Sequence, residues 1–251
     1  MVHIVGAGCG APDLITLRGK KLLEEADVVV YAGSLVNPAL LDYAKKDCLI
    51  YDSAKMTLEE TNAVIEAAEK EGKTTVRLHT GDPSLYGAIG EQMREWDRLG
   101  IAYDITPGVS AFSGAAAALK TEYTLPDVSQ TVIITRVSGK TEVPEAERLR
   151  TLASHGSTLV LYLSTGLLAK VTEELLAGGY APDAPAAIIY KASWPEEKVC
   201  LCTVATLEQT ARENGIAKTA LITVGGFLKS DFTRSHLYDP AFPTEFREAT
   251  L

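Results

Sequence analysis

The fold is decided by the first stretch of the chain, residues 2–13, which reads VHIVGAGCGAPD. Its apolar start is typical of a buried β-strand, and the glycines that follow place tight backbone turns where that strand ends. Outward from this stretch, apolar β-branched runs alternate with helical patterns along the chain. That alternation predicts an α/β protein.

Five strands are predicted in the first half of the chain, with helices between them. Because parallel strands need long crossover connections, these helices imply a parallel or mostly parallel sheet. One helix begins at Thr16, a second opens with the capping box formed by Thr57 and Glu60, and a third, rich in small residues, covers 107–118. The strand candidates are 2–5, 27–31, 48–51, 74–79 and 102–106.

A second α/β set follows and predicts a mixed five-stranded sheet. The segments 188–191 and 199–203 are joined only by a short connection through Trp194 and Pro195, so they should form an antiparallel hairpin. Helices are predicted near 144–155, 167–177 and 207–214. The strand candidates are 131–136, 157–163, 186–191, 198–203 and 219–224.

These two sets predict two α/β domains, residues 1–119 and residues 131–230. The segment 120–130 lacks strong periodicity and contains a proline, so we expect a linker there. Residues 231–251 are expected to form a mostly irregular tail. Two domains of this size would place a cleft between them, and small-molecule sites often form in such clefts.

Composition limits the classes of function. The chain has 251 residues, of which 46% are hydrophobic, and can bury a full core. Its net charge of -9 argues against a nucleic-acid partner, because such binders concentrate Lys and Arg on one face. No apolar run approaches the roughly 20 residues of a spanning helix, and the start lacks the basic segment of a signal peptide. We therefore expect no membrane partner and a cytoplasmic location.

The four cysteines predict neither disulfides nor a metal centre. They are scattered along a chain that we expect to be cytoplasmic, and they form no disulfide framework. The closest pair lies on one face of a predicted strand, and no second Cys or His pair follows at zinc-like spacing. These residues are Cys9, Cys48, Cys200 and Cys202.

The glycine loop could also indicate a dinucleotide site for NAD or FAD. In such folds the helix starts inside the glycine motif, whereas here residues 12–15 intervene. The acid with the spacing for a ribose contact, Asp27, precedes its strand instead of following it. Both details argue against a dinucleotide, and a purely structural turn stays open as another alternative.

Three later segments complete a pattern with the glycine loop: 80–87 (TGDPSLYG), 107–111 (PGVSA) and 159–163 (LVLYL). In order and spacing the four closely resemble the tetrapyrrole methyltransferase family, and the resemblance covers nearly the entire chain. It implies a fold of the tetrapyrrole methylase type, S-adenosylmethionine as methyl donor with S-adenosylhomocysteine as product, and a homodimer.

Four further stretches resemble one branch of that family, which methylates C11 of precorrin-4 or cobalt-precorrin-4 in cobalamin (corrin ring) biosynthesis. They are 31–38 (YAGSLVNP), 124–131 (TLPDVSQT), 191–195 (KASWP) and 235–240 (SHLYDP). The resemblance implies a small-molecule tetrapyrrole as the partner, and it does not distinguish a cobalt-bearing acceptor from a metal-free one.

The resemblance also implies donor contacts through backbone groups and small residues. Asp82 could pair with the donor's ammonium group, although Gly-Asp-Pro is also a turn-forming sequence. Cys9 and Ala11 stand where the family has proline and aspartate, a departure that could re-aim the loop, and Ser110 could equally be only a helix N-cap. The implied donor-binding residues are Cys9, Gly81, Asp82, Leu85, Ser110, Ala111, Leu163, Ala192, Thr219 and Ala220.

No catalytic triad is present, and methyl transfer to an electron-rich carbon does not need one. Catalysis then comes chiefly from holding the two reactants in line. No catalytic residue is assigned, and Asp82 and His236 are the candidates. The candidate substrate contacts are Tyr31, Lys191, Trp194, Arg234 and His236, with Lys55 and Arg136 as further cations.

Two alternatives stay open. One is the same chemistry on another acceptor, such as another corrin carbon, a uroporphyrinogen, a diphthamide intermediate or ribosomal RNA. Charge disfavours RNA, and the branch motifs disfavour the others. The second alternative is a noncatalytic donor-binding regulator or an oxidoreductase.

Overall fold

The computed structural model describes residues 1–33, 35–229 and 232–250. The chain divides into two compact units, the first formed by 1–115 with 191–197 and the second by 116–190 with 198–251. Ser34 of the motif 31–38 and the predicted boundary at 230 and 231 lie outside the described residues. The domain limits predicted from the sequence stay a prediction.

The first unit contains a five-stranded sheet in which all strand pairs are parallel. Its strands are β1 (Val2–Gly6), β2 (Val28–Tyr31), β3 (Leu49–Asp52), β4 (Thr75–His79) and β5 (Tyr103–Thr106). They lie in the order β3-β2-β4-β1-β5, so β1 and β4 are central. The parallel sheet predicted from the intervening helices is confirmed.

The helices that begin in this unit are α1 (Leu17–Glu25), α2 (Leu58–Lys70), α3 (Ile89–Leu99) and α4 (Ala111–Leu119). Thr16 caps α1 by accepting a hydrogen bond from the Gly19 N–H. The predicted capping box of α2 is confirmed by bonds in both directions between Thr57 and Glu60. No range is predicted above for α3, although its apolar residues Ile89, Met93 and Trp96 recur at helical spacing and face the core.

Apolar layers cover both faces of the parallel sheet, as expected for parallel strands. Val5, Val29 and Leu78 belong to a cluster on one face, together with Leu23 of α1. Ile4 belongs to the cluster on the other face, with residues of α2 and α3. Because both faces are covered, the free ends of the strands are where loop residues can meet a ligand.

The second unit contains a mixed five-stranded sheet, as predicted. Its strands are β6 (Val132–Thr135), β7 (Thr158–Leu161), β8 (Pro185–Tyr190), β9 (Lys198–Thr203) and β10 (Ala220–Val224). They lie in the order β6-β7-β10-β8-β9, with β6 and β7 parallel and the other pairs antiparallel. The hairpin of β8 and β9 matches the prediction from its short connection.

One core cluster lies between this sheet and its helices, α5 (Leu149–Ala153), α6 (Leu168–Ala177) and α7 (Leu207–Glu213). Cys200 and Cys202 of β9 pack against this cluster. Within the segment 120–130, Tyr123 and Leu125 are buried, and the Thr158 hydroxyl donates to the Tyr123 carbonyl oxygen at 2.9 Å. This segment therefore packs on the second unit.

Among the residues that the structure describes, none of the helices has the length and apolar character needed to cross a membrane.

Candidate functional site

Three loops of the first unit meet at one edge of its sheet. The glycine loop follows β1, the segment 80–87 follows β4, and the segment 107–110 follows β5. Because β4, β1 and β5 are parallel neighbours, their carboxyl ends lie side by side, which is where open α/β sheets bind ligands. Gly8 and Gly81 exchange two backbone hydrogen bonds, of 3.2 and 2.8 Å, and so join the first two loops directly.

Glycines allow these three loops to touch through their backbones. An ideal Cβ on Gly108 would lie 2.1 Å from the Gly81 carbonyl oxygen and 2.8 Å from Gly6 Cα. A Cβ on Gly6 would lie 2.6 Å from Gly108 Cα. Gly81 differs, because it has a φ of +60° and the nearest atom to its Cβ position is the Ala111 nitrogen at 3.5 Å. Gly81 is buried, and its N–H and carbonyl oxygen both bond to Gly8, so this residue joins the two loops.

The Asp82 carboxylate ties two of these loops together. Its Oδ1 accepts hydrogen bonds from the Ser84 N–H, at 2.9 Å, and from the Ser84 hydroxyl. Its Oδ2 accepts the Gly108 N–H at 2.9 Å. Partial burial raises the pKa of Asp82, but the bonds from Ser84 and Gly108 outweigh it and hold the pKa below the usual 3.8. Asp82 is therefore a turn anchor that is ionised at neutral pH.

The other donor-binding candidates of the first unit lie beside these loops. Ser110 is almost fully buried, and its carbonyl oxygen accepts the Gly114 N–H at 3.2 Å in the first turn of α4. Ala111 follows it, next to Gly81. Leu85 is half-buried and donates its N–H to the Asp82 carbonyl oxygen at 3.3 Å.

The loop 191–197, which connects β8 and β9, packs against the glycine loop. An ideal Cβ on Gly10 would lie 2.2 Å from Trp194 Cδ1 and 2.8 Å from the Ala192 carbonyl oxygen. The Ser193 Oγ accepts the Ala11 N–H at 3.0 Å and lies 3.3 Å from Cys9 Sγ. The two positions that depart from the family's glycine motif, Cys9 and Ala11, thus share one partner.

The structure adds residues that the sequence did not single out. Ser193 is one of them. In the sequence it is marked only by its position in the motif KASWP at 191–195. Asn37 is another, and its Nδ2 donates to the Gly10 carbonyl oxygen at 2.9 Å. Both hold the glycine loop through polar side chains that no sequence period marks, so only the fold reveals them.

Two of the substrate-binding candidates contact each other in the same loop. The Lys191 ammonium lies 5.0 Å from the centroid of the Trp194 ring and 3.3 Å from Glu196 Oε1. Tyr31 lies at the carboxyl end of β2, where its carbonyl oxygen accepts the Ser53 hydroxyl at 3.0 Å. These three side chains are in the first unit, with the glycine loop.

The donor-binding candidates of the second unit gather at one end of its sheet. Leu163 follows β7 and is 65% exposed, while Thr219 immediately precedes β10. The Thr165 hydroxyl donates to the Ala220 carbonyl oxygen at 2.9 Å and links the two chain segments. Leu163 and Thr219 have φ values of +52° and +58°, which are unfavourable for side chains with a Cβ and above all for a β-branched residue. Such strain concentrates at ligand sites.

The remaining cationic candidates contact residues close to them in the sequence. The Arg136 guanidinium donates to the carbonyl oxygens of Thr141 and Glu142, at 2.8 and 2.9 Å. Arg234 donates to the Tyr238 carbonyl oxygen within the tail. His236 in the same tail is exposed, and its ring centroid lies 5.9 Å from that of Phe242. Lys55, also exposed, lies 3.8 Å from Asp52.

Two polar side chains are buried in β4 just before the Gly-Asp-Pro loop. Burial lowers the pKa of Arg77 to about 10, and its guanidinium donates to Gln92 Oε1 and to the Val30 carbonyl oxygen. Burial, with the nearby Arg77 charge, lowers the pKa of His79 to about 3, so its ring is neutral at physiological pH. His79 therefore offers no positive charge to a substrate carboxylate.

Within residues 1–33, 35–229 and 232–250, no group of three or more His, Cys, Asp or Glu side chains is placed to hold a metal ion.

The sequence model of the tetrapyrrole (corrin/porphyrin) methylases matches residues 1–208 of this chain. The chain belongs to the tetrapyrrole methylase family. The family predicted from the four motifs is therefore confirmed. The three loops at the edge of the first sheet carry three of these motifs, and the fourth, 159–163, lies in the second unit.

Relatives of this tetrapyrrole methylase are similar over almost their full length. A cobalt-precorrin-4 C(11)-methyltransferase from Methanocaldococcus jannaschii is 52% identical over 249 residues, which cover 99% of this chain and 96% of the relative. A precorrin-4 C(11)-methyltransferase from Sinorhizobium sp is 46% identical over 248 residues, which cover 98% of each chain.

Solved structures of tetrapyrrole methylases have the same fold. The structure of a cobalt precorrin-4 methyltransferase shares 47% identity and a TM-score of 0.89, covering 91% of this chain and 95% of its own. A uroporphyrin-III C-methyl transferase from Thermus thermophilus in complex with S-adenosylhomocysteine shares 26% identity and a TM-score of 0.73, covering 91% and 93%. The predicted fold class is confirmed.

Proposed function

We propose that this protein transfers a methyl group from S-adenosylmethionine to C11 of precorrin-4 or cobalt-precorrin-4, in cobalamin biosynthesis. The observation that carries the proposal is the full-length similarity to C(11)-methyltransferases, at 52% and 46% identity. The relatives bear both names, with and without cobalt, so the proposal covers either form of the acceptor.

The geometry of the first unit fits a methyl donor. The loops after β1, β4 and β5 meet at one edge of the sheet, and the ionised Asp82 lies in the loop after β4. A carboxylate has more acceptor positions than the three hydrogen bonds that Asp82 accepts from the chain, so it can still bind an ammonium group. The related uroporphyrin-III C-methyl transferase was solved with S-adenosylhomocysteine, which supports the same donor here.

We assign donor binding to the residues that the family motifs place in the two units. In the first unit, Asp82 accepts the ammonium group, while the other residues offer backbone groups and small surfaces. For the second unit we propose adenosine contacts from the backbone at Leu163 and Thr219, whose positive φ values are the kind of strain found at ligand sites. The donor-binding residues proposed are Cys9, Gly81, Asp82, Leu85, Ser110, Ala111, Leu163, Ala192, Thr219 and Ala220.

S-adenosylmethionine, when bound, supplies an electrophilic methyl group on a sulfonium sulfur. The chain contributes by orienting the two reactants, an effect that can supply roughly 7–11 kcal/mol of the barrier. The three glycine-packed loops are rigid because their backbones touch, so the donor meets a preformed surface. No residue needs to remove a proton before the carbon–methyl bond forms.

For the tetrapyrrole we propose flat contacts from Tyr31 and Trp194, and contacts to its carboxylates from Lys191, Arg234 and His236. Lys191 lies over the Trp194 ring, so one side chain can orient the other. Arg136 is less suited to this role, because its guanidinium already caps two carbonyl oxygens of its own loop.

Incubation with the acceptor and S-adenosylmethionine tests the proposed function. We expect a mass gain of one methyl group on precorrin-4 or its cobalt form, and carbon NMR of the product should place that methyl at C11. Equal turnover of a uroporphyrinogen, or a methyl at another carbon, would contradict the proposed acceptor. Titration with S-adenosylhomocysteine and NAD separates the donor from a dinucleotide, since only the former should bind.

We also propose that the protein is a homodimer and acts in the cytoplasm. Light scattering after size exclusion should give twice the chain mass of 26.9 kDa. A monomer at micromolar concentration would contradict the dimer. Cell fractionation should recover the protein with the soluble fraction.

A further inference from the structure

The loop 191–197 lies in the β8–β9 hairpin, yet by its contacts it belongs to the first unit. It carries Ala192 and Trp194, for which a donor contact and a substrate contact are proposed above. Whatever fixes this loop against the glycine loop therefore also fixes part of the proposed site.

We propose that Ser193 is the positioning residue that fastens the loop 191–197 to the glycine loop, and that donor affinity depends on this fastening. The inference rests on the proposed function, because it concerns the same donor site. Ser193 does not have to touch either reactant, and it acts through the residues on each side of it.

The Ser193 hydroxyl makes two bonds across the gap between the loops. Its Oγ accepts the Ala11 N–H at 3.0 Å and lies 3.3 Å from Cys9 Sγ. Its own N–H donates to Glu197 Oε2 at 2.6 Å, which closes the loop at its other end. Ser193 is thus bonded to both loops. Its hydroxyl contacts Ala11 and Cys9 of the glycine loop, and its N–H contacts Glu197 of its own loop.

The backbone of Ser193 is held in an unfavourable conformation, with a φ of +65°. Lys191, two residues earlier, also has a positive φ of +48°. Left-handed conformations of this kind are costly for residues other than glycine, and they persist only where surrounding contacts hold them. The bonds to Ala11, Cys9 and Glu197 are such contacts, so losing the hydroxyl should let the loop relax.

The loop 191–197 is packed so closely against the glycine loop that it cannot relax without moving residues of the proposed site. The Trp194 ring occupies the place that a Cβ on Gly10 would fill, at 2.2 Å. Cys9 packs closely against Gly114 of α4. An ideal Cβ on Gly114 would lie 2.7 Å from Cys9 Sγ and 3.5 Å from Ala192 Cβ. A shift of the loop therefore moves Ala192 and Trp194 and frees Cys9.

Three variants test the inference by calorimetric titration with S-adenosylhomocysteine. Ser193→Ala removes the hydroxyl and keeps the Cβ that makes a positive φ costly, whereas Ser193→Gly removes both. Ser154→Ala is the matched control, because that exposed hydroxyl donates to the Thr151 carbonyl oxygen at the end of α5, far along the chain from the glycine loop. We expect roughly tenfold weaker binding in both Ser193 variants, as for the loss of one or two hydrogen bonds, and unchanged binding in the control.

Hydrogen exchange of the Ala11 amide reports on the contact between the two loops without any ligand. In the wild type the Ala11 amide should be protected from hydrogen exchange, and in Ser193→Ala its exchange should be at least about tenfold faster. With the methyl acceptor, KM for the donor should rise more than kcat falls.

The outcomes separate the inference from the proposed function. If the wild type binds S-adenosylhomocysteine and Ser193→Ala binds it within twofold, with an unchanged Ala11 amide, the inference is wrong and the function stands. If Ser193→Gly recovers the affinity lost in Ser193→Ala, backbone strain and not the hydroxyl is responsible, and the inference is again wrong. If the wild type fails to bind the ligand, both are wrong.

Discussion

Asp82 shows how a single carboxylate can serve a turn and a ligand. Gly-Asp-Pro forms turns in many proteins, and here both carboxylate oxygens accept hydrogen bonds from the chain. These bonds also keep the group ionised, because they stabilise its charged form. The structural role of Asp82 is thus compatible with the ionised carboxylate that the proposed role requires.

Replacing Asp82 with Asn should destabilise the protein at neutral pH. Asn presents an N–H to one of its donors, so we expect a loss of about 1–2 kcal/mol in the free energy of unfolding at pH 7. Because folding lowers the pKa of Asp82, its contribution is present above 3.8 and is lost as the pH falls through the lowered value. Urea unfolding at pH 7 and pH 3 should show the difference from the wild type shrinking in acid.

Asp13→Asn is the control for this measurement, since Asp13 is exposed. It should change the unfolding free energy by less than about 0.5 kcal/mol at either pH. An equal loss for Asp82→Asn at pH 7 and pH 3 would mean that the ionised carboxylate does not hold the loops together.

Gly108 should tolerate no side chain, because the Cβ of Gly108→Ala would lie 2.1 Å from the Gly81 carbonyl oxygen. Backbone must move to make room, so we expect a loss of about 2–4 kcal/mol in the free energy of unfolding, with weaker S-adenosylhomocysteine binding. Gly90→Ala is the matched control, as nothing lies within 4 Å of its Cβ position in α3. That variant should gain up to about 1 kcal/mol by denaturant unfolding, and equal losses at both glycines would contradict the steric argument.

At the scale of elements, Arg77 connects two strands to a helix. It lies in β4, and it donates to the carbonyl oxygen of Val30 in β2 and to Gln92 of α3. Gln92 in turn donates to the carbonyl oxygen of Ala88, which starts α3 in a left-handed conformation. The segment between β4 and α3 contains the Gly-Asp-Pro loop, so this buried chain of bonds holds both ends of that loop.

A double-mutant cycle should reveal this connection. Arg77→Met should lower the free energy of unfolding by about 1–3 kcal/mol, because it leaves buried acceptors unpaired. Combined with Gln92→Leu the losses should not add, and the coupling energy should be at least about 1 kcal/mol in chemical unfolding. The exposed pair Arg98 and Glu95 of the same helix is the control, and its coupling should stay within about 0.5 kcal/mol. Additive losses at Arg77 and Gln92 would exclude a shared network.

At the scale of the whole molecule, a donor that binds only the folded chain must stabilise it. At a concentration of 100 times its Kd, S-adenosylhomocysteine should add about 2.7 kcal/mol to the free energy of unfolding. Thermal unfolding with and without the ligand measures this, and NAD at the same concentration should have no effect. A similar stabilisation by NAD would favour the dinucleotide alternative.

Two details of the sequence argue against a dinucleotide site, and the structure shows the geometry of each. Residues 12–14 form a short 3-10 turn, and α1 begins only at Leu17. Asp27 precedes β2 and accepts bonds from the Thr74 N–H, at 2.8 Å, and from Lys45, at 2.6 Å. Its carboxylate therefore lies at the amino end of the parallel strands, whereas the glycine loop lies at their carboxyl end.

The sequence by itself determined the strands, both sheet types, the hairpin and the family. These follow from local periods, from connection lengths and from short motifs whose order is fixed along the chain. Helix α3 has no predicted range, although Ile89, Met93 and Trp96 follow the helical period, so the signal was present in the sequence and was missed. The residues that the motifs name are thus known without the fold, although their roles stay a prediction.

Only the tertiary structure decided which of these residues contact one another. The bonds from Ser193 to Ala11 and Cys9 join positions more than 180 residues apart, and Asp82 reaches Gly108 across two loops. No local pattern encodes such pairs, because they arise when neighbouring strand ends and a distant hairpin loop pack against each other. Packing therefore set the partners of each side chain, and with them the lowered pKa of Asp82 and the place of the loop that carries Trp194.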